Sequence, residues 1–123
     1  MITDFEELTT DLTDDELAML PVVVSVLSQT SEQNPVKAPL IVSKVQLALD
    51  KNKMDAVFNE RKLRKFVNHI RCTGALPLIA TANGYFVTDD VELIKRQIKS
   101  LGERARSIQM CADGLKGFIT DQQ

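Results

Sequence analysis

The chain has 123 residues, of which 44% are hydrophobic and 26% charged, and a formal net charge of −2. That is the size and composition of one globular domain and not of a disordered segment. The longest apolar run, Ala18 to Val24, falls far short of the roughly 20 residues that a membrane span needs. The first residues are acidic, with no basic segment ahead of an apolar one, so no secretory leader is expected and a cytoplasmic protein is. The two cysteines, Cys72 and Cys111, suggest reduced thiols rather than a disulfide framework. His69 is the one histidine, and Glu60, the nearest carboxylate, lies nine residues before it. There is no metal-ligand spacing, no glycine-rich phosphate loop and no serine-nucleophile motif. Neither an enzyme nor a metal or cofactor is expected.

In chain order, Thr13-Asp14-Asp15-Glu16 fits a capping box, with the hydroxyl at the N-cap and a carboxylate three residues on. Leu17, Leu20, Val24 and Leu27 then recur at helical spacing, which predicts a first helix to about Thr30. Pro21 removes one backbone donor, so a kink near Leu20, or a restart with Pro21 in the first turn, is expected. Ser31–Pro39 reads as a loop. Leu40-Ile41-Val42 reads as a short strand. Ser43 then caps a second helix, Lys44 to about Lys51, with Val45, Ala48 and Leu49 inward. Asn52–Phe58 is a connection, and Asn59 caps a third helix from Glu60 to about Cys72. Gly74 suits the left-handed position that ends it.

Two β-prone runs follow, Leu76–Thr81 and Tyr85–Thr88, joined by Ala82-Asn83-Gly84. Asn-Gly between such runs is a hairpin signal, because both residues tolerate positive φ. Asp89 or Asp90 caps a last helix. Its stripe is Val91, Ile94, Ile98, Leu101, Ala105, Ile108, Ala112 and Leu115, spaced alternately by three and four residues. That period fits two roles, the seam of a two-chain coiled coil or the core side of the chain's own domain. Gly102, Ala105 and Ala112 are small and allow close helix approach, but they weaken a two-stranded seam.

Three helices and a hairpin is the order of a winged helix-turn-helix, an α+β fold dominated by helix. The expected organisation is an acidic arm (1–12), a domain over 13–117 with a long C-terminal helix at about 90–115, and a short tail (118–123). On a wheel of about 100° per residue, Leu63, Phe66, Val67 and Ile70 form the core side of the third helix. Arg61, Lys65, Asn68 and Cys72 point the opposite way, with Lys62, Arg64, His69 and Arg71 on the flanks. Arginine and lysine suit phosphates and guanine edges, and asparagine can bond adenine. Residues 36–71 carry nine bases, including Lys44, against three acids, whereas residues 1–20 carry seven acids and no base. A basic block of that kind is the electrostatic footprint of a polyanion partner. Double-stranded DNA is therefore the expected partner. Arg61, Lys65 and Asn68 would face base edges, and Lys62, Arg64 and Arg71 would hold phosphates. Thr81, Asn83 and Gly84 at the wing tip would add a modest contact. The acidic arm would be a solubilising tail, a shield for the basic face or a contact for a partner.

The stretch Asn59-Glu60-Arg61-Lys62-Leu63-Arg64-Lys65-Phe66-Val67-Asn68-His69-Ile70-Arg71 is followed by Gly74, Leu76-Pro77-Leu78-Ile79-Ala80 and Gly84-Tyr85-Phe86-Val87. This succession resembles the small winged-helix proteins encoded by bacteriophages, prophages and mobile elements. The long helix, with Ser100-Leu101, Arg104-Ala105 and Ser107-Ile108, is similar to that group as well. The resemblance covers about residues 13–117. It implies a DNA-binding replication or transcription regulator. A homodimer, paired through Val91, Ile94, Ile98, Leu101, Ala105 and Ile108, would present two third helices to a symmetric site. The competing reading is a winged helix used for protein–protein contact through the last helix and the acidic arm.

Overall fold

In the computed structural model, which describes residues 11–120, the first element starts as its capping box requires. Glu16 N–H donates to Thr13 Oγ1 at 3.2 Å and Thr13 N–H donates back to Glu16 Oε1 at 2.9 Å. Helix α1 runs over Asp14–Leu27 without interruption, and Pro21 lies inside it. It ends three residues before the expected limit. Thr30 Oγ1 donates to the Leu27 carbonyl at 2.7 Å and accepts from the Val87 N–H at 3.1 Å. This buried hydroxyl therefore ties the end of α1 to the hairpin.

Helix α2 spans Ala38–Lys51, which corrects the expectation of a strand at Leu40–Val42 and an N-cap at Ser43. Lys37 occupies the N-cap and Pro39 sits in the first turn, where a missing N–H costs nothing. Ile41 then lies one turn before Val45 and two before Leu49, and all three are fully buried. A helix that buries this i, i+4, i+8 row overrides the weak β preference of a three-residue run. Ser43, now inside the helix, turns its hydroxyl back to the Pro39 carbonyl at 3.2 Å.

Helix α3 spans Glu60–Thr73. Asn59 caps it by accepting from Lys62 N–H at 2.9 Å, and Gly74 ends it at φ 73°. Leu63, Phe66 and Ile70 are fully buried beside Val23 and Leu27 of α1 and the α2 row. Each such side chain contributes about 1.5–3 kcal/mol on burial, so one three-helix core holds the site in place.

The hairpin pairs β1 (Leu78–Thr81) with β2 (Gly84–Val87), antiparallel, from Leu78↔Val87 to Thr81↔Gly84. The connecting loop is therefore Ala82-Asn83, and Gly84 is the first residue of β2. Asn83 is not among the positive-φ residues, whereas Gly84 has φ 128°. A Cβ on Gly84 would stand 2.6 Å from the Val36 carbonyl carbon and oxygen. The glycine thus serves a close backbone approach as well as the turn. Beside it Val36 and Tyr85 exchange backbone hydrogen bonds of 3.0 and 2.9 Å. The segment paired with β2 on this side is thus one bridge at Val36, four residues ahead of Leu40, where the short strand is expected.

The chain divides between Asp89 and Asp90 into two compact units. The first holds α1–α3 and the hairpin. The second is helix α4, Val91–Thr120, whose first turn is capped by Asp90 Oδ1 accepting from Glu92 N–H at 3.0 Å. It is longer than expected, and residues 118–120 of the expected tail are helical. Val91, Ile98, Leu101, Ile108 and Leu115 are 60%, 63%, 40%, 53% and 67% exposed. Among the described residues no helix is long and apolar enough to cross a membrane.

Candidate nucleic-acid interface

Two devices orient α3 before any cation is considered. Gln46 of α2 reaches across the connection to α3. Its Oε1 accepts from Phe58 N–H at 2.8 Å and its Nε2 donates to the Ala56 carbonyl at 2.9 Å. Phe58 packs on Phe66 of α3 with ring centroids 5.6 Å apart and planes at 59°, a tilted aromatic pair. No sequence signal marked Gln46, because an amide on an amphipathic helix carries no pattern of its own.

The cations then divide into two groups. Arg61 and Arg64 are exposed on the first turns of α3, and Lys44 is exposed on α2. Lys62 is half-buried and donates from Nζ to the Val57 carbonyl at 2.9 Å. Lys51, not singled out from sequence, is exposed two helical turns after Lys44 and so shares its face. The signal for it, a seven-residue spacing, is already present in the helix expected over Lys44 to Lys51. Asn83 is exposed in the hairpin loop, where its N–H donates to Thr81 Oγ1 at 3.2 Å.

Lys65 departs from the outward placement expected of it. Its side chain is 19% exposed, and Nζ meets Glu16 Oε1 of α1 at 2.6 Å. The lysine therefore joins α1 to α3 and is spent on the fold. Burial alone would raise the Glu16 carboxyl, but the Lys65 hydrogen bond, the Thr13 N–H and the Lys65 charge together hold it below the ordinary glutamate value of 4.5. Asn68 is half-buried too, and its Oδ1 lies 3.7 Å from the Cys72 thiol. Arg71 is half-buried, with Nη2 shielded from solvent and without a hydrogen-bond partner. The structure thus leaves Arg61 and Arg64 exposed at the start of α3, whereas Lys62, Lys65, Asn68 and Arg71 are half-buried.

The acidic arm falls largely outside the described residues. Its last residue, Leu12, is buried in the core, so the arm as delimited includes a packing residue. Cys72 and Cys111 are free and exposed. Among the described residues no group of three or more His, Cys, Asp or Glu is placed to hold a metal ion. An open groove of about 700 Å³ lies between the start of α1 and the Met54–Val57 segment, and Asp15, Glu16, Asp55 and Lys62 are among the residues that line it. Comparison with known protein families, curated proteins and solved structures finds no match to this chain.

Proposed function

We propose that the chain binds duplex DNA as a dimeric winged-helix protein of the replication-organiser or transcription-regulator kind, with α3 entering the major groove. The observation that carries this reading is the division of α3. Leu63, Phe66, Val67 and Ile70 are buried, while Arg61 and Arg64 are exposed near its N-terminus. The order of three helices and a hairpin, with the Val36–Tyr85 bridge adding to β2, supports it. Arg61 and Arg64 contact base edges or phosphate, and Lys44 and Lys51 hold the flanking backbone. Lys65 is omitted from this set because Glu16 already holds it. The exposed stripe of α4 supports pairing of two chains, so that a symmetric site meets two copies of α3.

Titration of a random-sequence duplex over a range of salt tests the reading. Affinity should fall steeply with salt, with a log–log slope near −0.9 per phosphate neutralised. Replacing Arg61→Ala with Arg64→Ala should weaken binding by about 1–3 kcal/mol for each well-placed contact and flatten the slope. Unchanged affinity in a folded double variant, or binding indifferent to salt, rules the proposal out.

A further inference from the structure

Helix α4 carries eight exposed large hydrophobic residues, from Val91 to Ile119. For an amphipathic helix in water, here 30 residues long, most of the stability comes from packing of the apolar side. The three-four repeat read as far as Leu115 gains one more member in the structure, since the helix continues through Ile119. At 1.5 Å per residue the helix is about 45 Å long, and its large stripe residues, at roughly 60–120 Å² each, offer on the order of 400–800 Å². A stable interface needs about 800 Å² from each partner. The remaining faces hold nine charged residues of both signs, Glu92 to Lys116, which suits them to water on either side of a two-helix seam. The occupant this surface fits is a second copy of the same helix.

Resting on the dimer reading above, we infer that the two helices pair antiparallel. The alanines decide the direction. In a parallel, in-register pair, Ala105 would face Ala105 and Ala112 would face Ala112. The layers on either side of Ile108 would then hold no large side chain, and underfilled layers of this kind are cavities. Turned antiparallel, the same stripe becomes self-complementary. Leu101 faces Ala105 of the second copy, Ile94 faces Ala112 and Ile98 faces Ile108, so each alanine meets a large residue. Gly102 then falls beside the two-fold axis, where two helices approach most closely. In this register the two Val91 residues, through which the rest of each chain is tethered, lie about 36 Å apart along the axis. A parallel pair would bring those tethers side by side.

The test uses the full chain with Cys72→Ser and Cys111→Ser, followed by single cysteines placed in the exposed stripe. Sedimentation of the wild type should give twice the chain mass of 13.7 kDa. Mixed and oxidised, the Ile98→Cys and Ile108→Cys chains should form a covalent heterodimer, and Ile98→Cys alone should not. In the antiparallel pair two Ile98 positions stand about 15 Å apart along the axis. Cross-linking of Ile98→Cys with Leu115→Cys, a register displaced by one heptad, also supports an antiparallel seam. A covalent Ile98→Cys homodimer overturns the orientation and leaves the dimer standing. A dimer that none of these pairs cross-links places the interface elsewhere and overturns the inference. A monomeric wild type overturns the orientation together with the dimer, while leaving α3 as a DNA-binding element to be judged on its own test.

Discussion

Gly84→Ala isolates the close approach that holds the hairpin to the segment before α2. The methyl would be built 2.6 Å from the Val36 carbonyl carbon and oxygen and 2.9 Å from the Lys37 nitrogen, at φ 128°. All three are backbone atoms, so no side-chain rotation relieves the contact. The strained backbone alone costs about 1–3 kcal/mol. Separating the strands also breaks the two Val36–Tyr85 hydrogen bonds, each worth about 0.5–1.5 kcal/mol. Together these give a loss of about 2–6 kcal/mol. Gly74→Ala is the control, since Gly74 also has positive φ (73°) but nothing lies within 4 Å of its added Cβ. It should cost only the left-handed penalty of about 1–2 kcal/mol. Urea denaturation of both variants gives the comparison directly. If Gly84→Ala is no more costly than Gly74→Ala, the steric role assigned to Val36 is refuted and only backbone preference remains.

Two further outcomes follow from the packing of the helices. The Glu16 carboxyl is lowered in the folded chain, so its contribution is present above the ordinary glutamate value and is lost as the pH falls through the lowered one. Acid titration of Tm should show that loss, Glu16→Gln should remove this part of the pH dependence, and equal acid sensitivity in the two proteins would refute the Lys65–Glu16 link. Lys53 has φ 58° at the end of α2, where Lys53 N–H donates to Asp50 O and Met54 N–H to Leu49 O at 3.0 Å each, in a Schellman arrangement. Lys53→Gly should therefore raise stability by about 1 kcal/mol, read as a higher urea midpoint with unchanged slope.

Local signals in the sequence carried those features that a few neighbouring residues settle. The Thr13–Glu16 capping box, the Asn59 cap and the Gly74 stop each appear where the pattern put them, because cap geometry depends on side chains within one turn. The core side of α3 was equally legible, since Leu63, Phe66, Val67 and Ile70 share one face at helical period and all four are buried. The cations expected opposite that face were legible as a set but not one by one. Arg61 and Arg64 stay at the surface, whereas Lys65 turns to Glu16, a residue 49 positions away.

Long-range contacts decided the rest. Leu40-Ile41-Val42 joined a helix because Ile41 lies in register with Val45 and Leu49 against the core, a reward that a three-residue window does not contain. Gly84 is legible as a turn glycine, but its close neighbour is Val36, which meets it only when the hairpin folds back on the start of α2. On α4 the sequence by itself determined the period of the stripe, since heptad spacing is a property of one chain. The structure adds that the helix carrying it runs unbroken from Val91 to Thr120. A helix pattern fixes which residues share a face, and only the packing of other elements fixes what that face meets.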